Sequence, residues 1–457
     1  MRLGLKMLLV VVMTLAILVP LTMIRGTIQD RQAYRAQAVD SIARSYAGAQ
    51  AFTGPVLVVP YVQTVEVEEK DAQGVARKVL REQGGRWTFF PESLSIGGEL
   101  KPATRRLGLH EVRVYEWRAR ADARFEVDIP ADADPTRPRR IGRPWLGYGI
   151  ADVRGIIGTP RLRVDGVDVA LEQGLGAGDG TGVHARLRTP RAGGPLAFDS
   201  RLDFVLGGTE SLALVPLGER NRFALSSTWP HPHFGGSFLP RTRSIDARGF
   251  RAEWEVSSLA TGARAQYAAG KTVARAADPV QGAGRSGKEV QAEGIDAVGV
   301  SLFDPVNVYS QADRASKYGI LFVLLTFVGF FMFELIRQLP IHPIQYGLVC
   351  LALAIFFLLL VSLSEHIAFG WAYLVASIAC IGLLGFYVGF VLRSRARGAG
   401  FAAMLAILYA VLYGLLASED NALVLGSVLL FLILAAIMVV TRRVDWYQPA
   451  AATPLRS

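Results

Sequence analysis

Asp304-Pro-Val-Asn-Val-Tyr-Ser-Gln-Ala-Asp-Arg-Ala-Ser-Lys-Tyr318 runs directly into Gly319-Ile-Leu-Phe-Val-Leu-Leu-Thr-Phe-Val-Gly-Phe-Phe-Met-Phe333. A long polar region ends here and an almost continuously apolar one begins. Whole-chain averages of 51% hydrophobic and 19% charged residues hide this segregation. Beyond Tyr318 the acidic residues are Glu334, Glu365, Glu419, Asp420 and Asp445. The stretch 25–317 holds 40 of the 49 basic and 34 of the 39 acidic residues, a mild excess that gives no nucleic-acid footprint. Both cysteines, Cys350 and Cys380, fall in apolar runs. The polar region therefore has no disulfide framework and no thiolate site, and it is long enough to bury a core without them.

Before the polar region, Met7 to Ile24 carries no charge and follows Arg2 and Lys6. At about 18 residues it is near spanning length, and no small-x-small cleavage site follows it closely, so it reads as an uncleaved signal anchor. Ile28, Arg31, Arg35, Val39, Ile42 and Tyr46 continue at helical spacing, which extends a helix beyond the apolar run. Gly54-Pro55 is the expected stop, followed by a buried strand at Val56-Leu-Val-Val59.

From there to about residue 300 the period is two: Val112 and Val114 alternate with Glu111 and Arg113, and Phe125, Val127 and Ile129 with Glu126 and Asp128. Leu202, Phe204 and Leu206, and Phe250, Ala252, Trp254 and Val256, repeat it. Such alternation predicts half-buried antiparallel strands, hence a mainly-β, sandwich-like domain. Gly84-Gly85, Gly97-Gly98 and Gly207-Gly208 read as turn signals, and Asp165-Gly166 as a hairpin turn. Ala265 to Glu293 reads as a long loop.

After the junction come five apolar runs, 318–336, 344–363, 368–392, 399–417 and 422–441, each close to the ~20 residues that cross a bilayer as a helix. With the anchor this predicts six spans. Arg337, Arg393, Arg395, Arg397, Arg442 and Arg443 lie with Arg2 and Lys6 on one side, while Ser364-Glu-His366 and Ser418-Glu-Asp420 carry no Lys or Arg. The positive-inside rule puts both termini in the cytoplasm and residues 25–317 outside, in the periplasm of a Gram-negative cell. The expected domains are an anchor at 1–24, the β domain at 25–317, a five-helix bundle at 318–443 and a tail at 444–457.

Candidate sites are few. Trp229-Pro-His-Pro-His-Phe234 sets His231 and His233 at i, i+2, a spacing that chelates metal on an extended chain. A third ligand is not in sight, since His110 and His184 are distant in sequence, and a proline-fixed packing loop explains the same residues. Glu365-His366 and Glu419-Asp420 form an acidic pair of outer loops, either a cation vestibule or ordinary loop residues. Glu334 lies near the inner end of a span with Arg337 one turn on, which suits an interfacial ion pair. Gly385 and Gly389 form a small-xxx-small pair for close helix packing. Gly174-Leu-Gly-Ala-Gly-Asp-Gly180 lacks the lysine and helix of a phosphate loop. No nucleophile elbow, Ser-x-x-Lys or His-Glu-x-x-His pattern stands in a convincing context. Asp313, Arg314 and Lys317 mark the strap that returns the domain to the membrane interface. The expectation is no catalytic residue and no cofactor, with the lipid bilayer and cell-wall or envelope proteins as partners.

Several blocks, taken together, resemble the CreD family of bacterial inner-membrane proteins, also called cell envelope integrity proteins. They are Ile17-Leu-Val-Pro-Leu-Thr-Met-Ile24, Phe90-Pro-Glu-Ser93, Asp152-Val-Arg-Gly155, Ser227-Thr-Trp-Pro-His-Pro-His-Phe234 with Phe238-Leu-Pro240, Gln311-Ala-Asp-Arg-Ala-Ser-Lys-Tyr318, His342-Pro-Ile-Gln-Tyr346, Ser364-Glu-His366 and Asp445-Trp-Tyr447. The resemblance implies an inner-membrane protein linked to the Cre two-component system and to envelope stress, including β-lactam and colicin tolerance. It implies no catalytic residues. A transporter using the acidic outer loops and a metal-dependent envelope enzyme centred on the histidines are the alternatives.

Overall fold

The computed structural model describes residues 12–441 except 13–14, 71–75, 109, 133–136, 177, 179, 192, 272–293, 303–307, 338–342, 392–393 and 418–421. The chain divides into two compact units, Arg35–Pro305 and Met1–Tyr34 with Val306–Ser457.

The first helix, α1 (Leu18–Ser45), crosses that division without a break. The strands follow: β1 (Gln50–Lys70), β2 (Ala76–Phe89), β3 (Ser93–Leu107), β4 (His110–Asp128), β5 (Arg140–Ile141), β6 (Trp145–Ile150), β7 (Ile156–Val164), β8 (Val167–Val169), β9 (Glu172–Gln173) and β10 (Gly182–Arg186). Then come β11 (Pro195–Thr209), β12 (Ser211–Leu214), β13 (Arg220–Ser227), β14 (His233–Gly236), β15 (Thr242–Asp246), β16 (Gly249–Ser257), a short helix α2 (Ala263–Ala268) and β17 (Val298–Ser301).

These strands build a mainly-β sandwich. One sheet runs β14-β17-β12-β1-β6-β10-β9, with β2 and β5 also on β1; the other runs β15-β16-β13-β3-β4-β11-β7-β8. Pairing is mostly antiparallel, with β1·β12 and β13·β3 parallel. The predicted alternation is what packs the two sheets. Leu94, Ile96, Trp117, Phe125, Leu202, Phe204, Phe223 and Trp254 from one sheet share a core with Phe52, Leu57, Leu146, Tyr148, Leu212 and Val300 from the other. Phe52 stacks on Phe204 at 5.0 Å between ring centres and meets the Trp117 edge at 6.0 Å. The Asp165-Gly166 hairpin joins β7 to β8, with φ of 49° and 79°, the left-handed pair that a two-residue turn needs.

Several local expectations change. Helix α1 ends at Ser45, not at Gly54-Pro55, which lies inside β1 where its register to β6 shifts and has a cis peptide bond. The three glycine pairs are not turns; they sit within β2, β3 and β11. A strand glycine often marks close approach of another group, and that is their use here. A Cβ on Gly85 would lie 2.4 Å from the Tyr61 ring, and one on Gly98 would lie 2.5 Å from Trp117 Nε1. Part of the expected loop at 265–293 is α2, and 272–293 lies outside the described residues.

In the other unit the helices are α3 (Val308–Arg337), α4 (Pro343–Ser364), α5 (Phe369–Val391), α6 (Arg395–Ala417) and α7 (Ala422–Thr441). Three stretches are long and apolar enough to cross a membrane among the described residues: Ile344–Ser364, Phe369–Val391 and Gly398–Leu416. The six-span expectation is thus supported for three. The runs 7–24, 318–336 and 422–441 each include residues or side chains outside the described set. Ile17, just before α1, and Leu21, Ile24 and Ile28 of α1 pack in one core with Phe322, Phe327, Phe356 and Tyr409. Helices α5 and α6 meet through glycine, as the small-xxx-small spacing predicts: a Cβ on Gly398 would lie 2.6 Å from Gly389 Cα.

Candidate functional site

The helical stripe predicted at Ile28–Tyr46 is the contact stripe of α1. In the helical unit, Ile28 is fully buried and Arg31 pairs with Glu365 at 3.1 Å. Further back, Arg25 lies 3.6 Å from Asp313, which also holds Lys317 at 2.7 Å. The strap residues Asp313 and Lys317 therefore join an ion-pair group with α1. Arg314 lies beside them on α3, partly buried.

In the β unit, Arg35 donates to Glu210 Oε1 at 3.1 Å. Glu210 sits where the chain leaves β11 for β12 in the other sheet, with φ at 61°. Ile42 packs with Val112 and Val114 on the face of β4 turned away from the sandwich core, with Val39 and Tyr46 against them. The last turn of α1 leaves carbonyls without helical partners. Arg154 takes two of them, donating from Nη1 to Arg44 O at 2.7 Å and from Nη2 to Ala43 O at 3.4 Å. A cation there also suits the negative end of the helix dipole.

Asp152 holds Arg154 in place. Its carboxylate accepts from Arg154 Nε at 2.9 Å, Arg154 Nη2 at 2.6 Å, the Arg154 N–H at 3.1 Å and the Gly48 N–H at 3.0 Å. The Arg154 hydrogen bond holds the Asp152 carboxyl below its usual range; burial opposes this and the Gly48 and Arg154 N–H groups add to it. Buried Gln50 donates to Asp152 O at 2.9 Å and Gly207 O at 2.8 Å, and accepts from the Asp152 N–H at 3.2 Å. Thr209 Oγ1 donates to Ala47 O at 2.6 Å, and the fully buried Tyr115 hydroxyl to Ser211 O at 2.6 Å. Gly207 and Gly208 make room: a Cβ on Gly207 would lie 2.8 Å from the Tyr46 hydroxyl, and one on Gly208 would lie 2.4 Å from the Tyr115 hydroxyl. Burial pushes the Tyr115 hydroxyl far above its ordinary value, so it stays neutral and can donate.

This clamp joins three segments distant in sequence. Sequence reading had the Asp152-Val-Arg-Gly155 block and the Gly207-Gly208 pair, but nothing in their spacing pointed to Gln50 or to the end of α1.

The other expected residues are placed as follows. The Trp229 ring lies under the Arg113 guanidinium at 4.5 Å, and its Nε1 donates to His231 O at 2.9 Å. Phe234 is buried edge-on to Phe250 and Trp254, while His231 and His233 are exposed. Among the described residues no three His, Cys, Asp or Glu side chains are grouped to hold a metal. Buried His184 donates from Nδ1 to Gly174 O at 3.0 Å, with Nε2 3.4 Å from Glu172. His366 is exposed in the turn after α4. Glu419, Asp420 and the Glu334 side chain lie outside the described residues, although residue 334 falls within α3.

Comparison with known proteins gives a consistent identity. The family described as inner membrane protein CreD matches residues 2–447. The inner membrane protein CreD of Escherichia coli (strain K12) is 33% identical over 437 residues, covering 95% of this chain and 91% of that protein. Among solved structures, the M1 zinc metallopeptidase from Deinococcus radiodurans aligns over 36% of this chain and 38% of its own at 11% identity, with a TM-score of 0.18 that carries no argument. Over nearly its whole length, then, the chain belongs to the CreD family of inner membrane proteins.

Proposed function

We propose that this chain is a non-enzymatic, six-span inner-membrane protein that supports cell envelope integrity under stress, linked to the Cre two-component system. In this reading residues 25–317 face the periplasm and both termini the cytoplasm, as the segregation of Arg337, Arg393, Arg395 and Arg397 from Ser364-Glu-His366 suggests. The β domain acts by contact with wall, lipid or envelope proteins. The observation that carries the proposal is the grip on α1. One unbroken helix is ion-paired through Arg25 and Arg31 in the helical unit and clamped through Arg35 and its C-terminal carbonyls in the β unit. A passive tether needs no such set of contacts within each unit. The Arg31 pairing of Glu365 also removes a carboxylate from the cation-vestibule alternative.

Insertions between Tyr34 and Arg35 test this. Each helical residue adds about 100° of rotation, so two alanines turn the following segment by about 200° while seven return it to within about 20°. Cells relying on the variant for survival under β-lactam stress should lose protection with two alanines, or with a flexible Gly-Ser insert, and keep it with seven. If every insert protects equally at equal membrane abundance, the domain is only tethered and the proposal fails. Reporter fusions at 25–317 and at 393–397 check the topology; equal activity on one side of the membrane would refute it.

A further inference from the structure

The two sheets do not close at one side of the sandwich. There β8 and β9 are the end strands of their sheets, only three and two residues long, and the chain crosses between them at Ala170-Leu171. Behind this crossover lies a cavity of about 920 Å³. Part of its wall is aliphatic, from Ile156, Leu162, Val169, Leu171 and Val183, and part is polar, from Thr159, Gln173 and the charged groups at the rim. Leu162 and Val183 are buried members of the sandwich core, so the slot reaches core depth. Its volume falls in the range of small-molecule clefts, and it is open to solvent at the rim.

The rim gives the head-group chemistry. Asp168 is paired with Arg163 at 3.1 Å, and Glu172 with Arg186 at 3.4 Å and with the His184 ring. Both rim carboxylates thus have their own cationic neighbour. Arg161, exposed at the same rim and opposite Asp203 in the β7·β11 ladder, has no ion pair within 4 Å among the described residues. Its cross-strand neighbour Asp203 is itself paired with Arg120 at 2.8 Å, so among the charged groups lining the cleft Arg161 is the one left to meet an incoming anion. We propose that this cleft holds the hydrocarbon tail of a single-chain anionic amphiphile, such as a long-chain fatty acid, with its carboxylate at Arg161. The cleft adjoins the clamp at Val153, between Asp152 and Arg154, but the proposal does not depend on the function proposed above.

The test uses the full chain in phosphatidylcholine vesicles and palmitic acid bearing a diazirine near its methyl end. After illumination and proteolysis, adducts are mapped by mass spectrometry. Label entering the apolar helices from the bilayer serves as the internal reference. Adducts are expected in peptides from 153–183. Losing one charge-assisted contact at an exposed rim should lower them about five- to tenfold in Arg161→Ala. Val169→Trp fills the slot and should remove them; Ala170→Trp, at the exposed crossover, fills it from the mouth should the first variant misfold. Adducts confined to the apolar helices would overturn the proposal, as would slot adducts that persist in folded Ala170→Trp. Equal labelling by the uncharged alcohol of the same chain would overturn the role given to Arg161.

Discussion

Replacing Asp152 with alanine takes the centre out of the clamp. The side chain is 16% exposed and accepts two backbone N–H groups, from Gly48 and Arg154, besides the guanidinium. Arg154 itself is 56% exposed, so the ion-pair share of the interaction is screened. Alanine leaves the Gly48 N–H without its acceptor and frees Arg154 from its orientation toward Ala43 O and Arg44 O. A hydrogen bond to a charged acceptor is worth about 1.5–3 kcal/mol, and screening favours the lower half, so the expected loss is about 2 kcal/mol. For a unit of this size that lowers the melting midpoint by about 4–8 °C.

The same residue sets an acid limb. The folded carboxyl titrates below its ordinary value, held there first by Arg154. Its contribution is present above the unfolded value, near pH 3.9, and is lost as pH falls through the lower folded value. The gap between wild type and Asp152→Asn should therefore be full at neutral pH and close progressively below about pH 4. Tryptophan-fluorescence melting of the detergent-solubilised full chain, run at a series of pH values, reads both effects. An Asp152→Ala midpoint equal to wild type at neutral pH, or an Asn gap of constant size into acid, would refute the reasoning.

Four other variants probe other layers. Phe204→Ala removes the ring stacked on Phe52 and edge-on to Trp117, and should cost about 3–4 kcal/mol in denaturant titration of the β unit. Gly398→Leu drives a side chain onto Gly389 and should destabilise the α5–α6 contact by about 1–3 kcal/mol, seen as increased proteolysis in the helical unit. Trp229→Ala loses the Arg113 stack and should cost about 1 kcal/mol. Exposed His231→Ala with His233→Ala should leave melting within about 0.5 kcal/mol of wild type and zinc content unchanged by elemental analysis; a fall in bound zinc would restore the chelation reading.

What the sequence discloses is what has a local period. The strands around Trp117, Phe204 and Trp254 are legible because one face is dry and the other wet, and the α1 stripe because Ile28, Ile42 and Tyr46 recur on one side of a helix. Glycine misleads because the sequence records a missing side chain but not the group that fills the space. Gly207-Gly208 has the composition of a turn and the function of a socket for two tyrosine hydroxyls. The clamp was illegible for another reason: Asp152 and Gly207 lie 102 and 157 residues from Gln50, and only sheet topology brings them together. Asp152-Val-Arg-Gly155 served to suggest the family but did not disclose its role as a helix cap.

The charges along α1 argue for orientation over stability. Arg31 and Arg35 stand one turn apart, and each meets a single carboxylate, Glu365 or Glu210, within its own unit. Partly exposed pairs of this kind add little net stability, because desolvation and side-chain ordering offset their attraction. Their geometric demand is strict all the same: turning the helix by one residue moves each guanidinium by about 100°. Apolar burial at Ile17, Leu21, Ile24 and Ile28 holds the helix in its bundle, and Ile42 with Val112 and Val114 holds its other end on the sheet. Those contacts tolerate some rotation, since aliphatic packing is not directional. The arginine pairs and the Arg154 cap do not. The apolar contacts and the Arg31 and Arg35 pairs of α1 are thus chemically distinct sets, while Asp152, through the Arg154 cap, serves both, so substitution of Arg31 or Arg35 should break the register with little change in melting point.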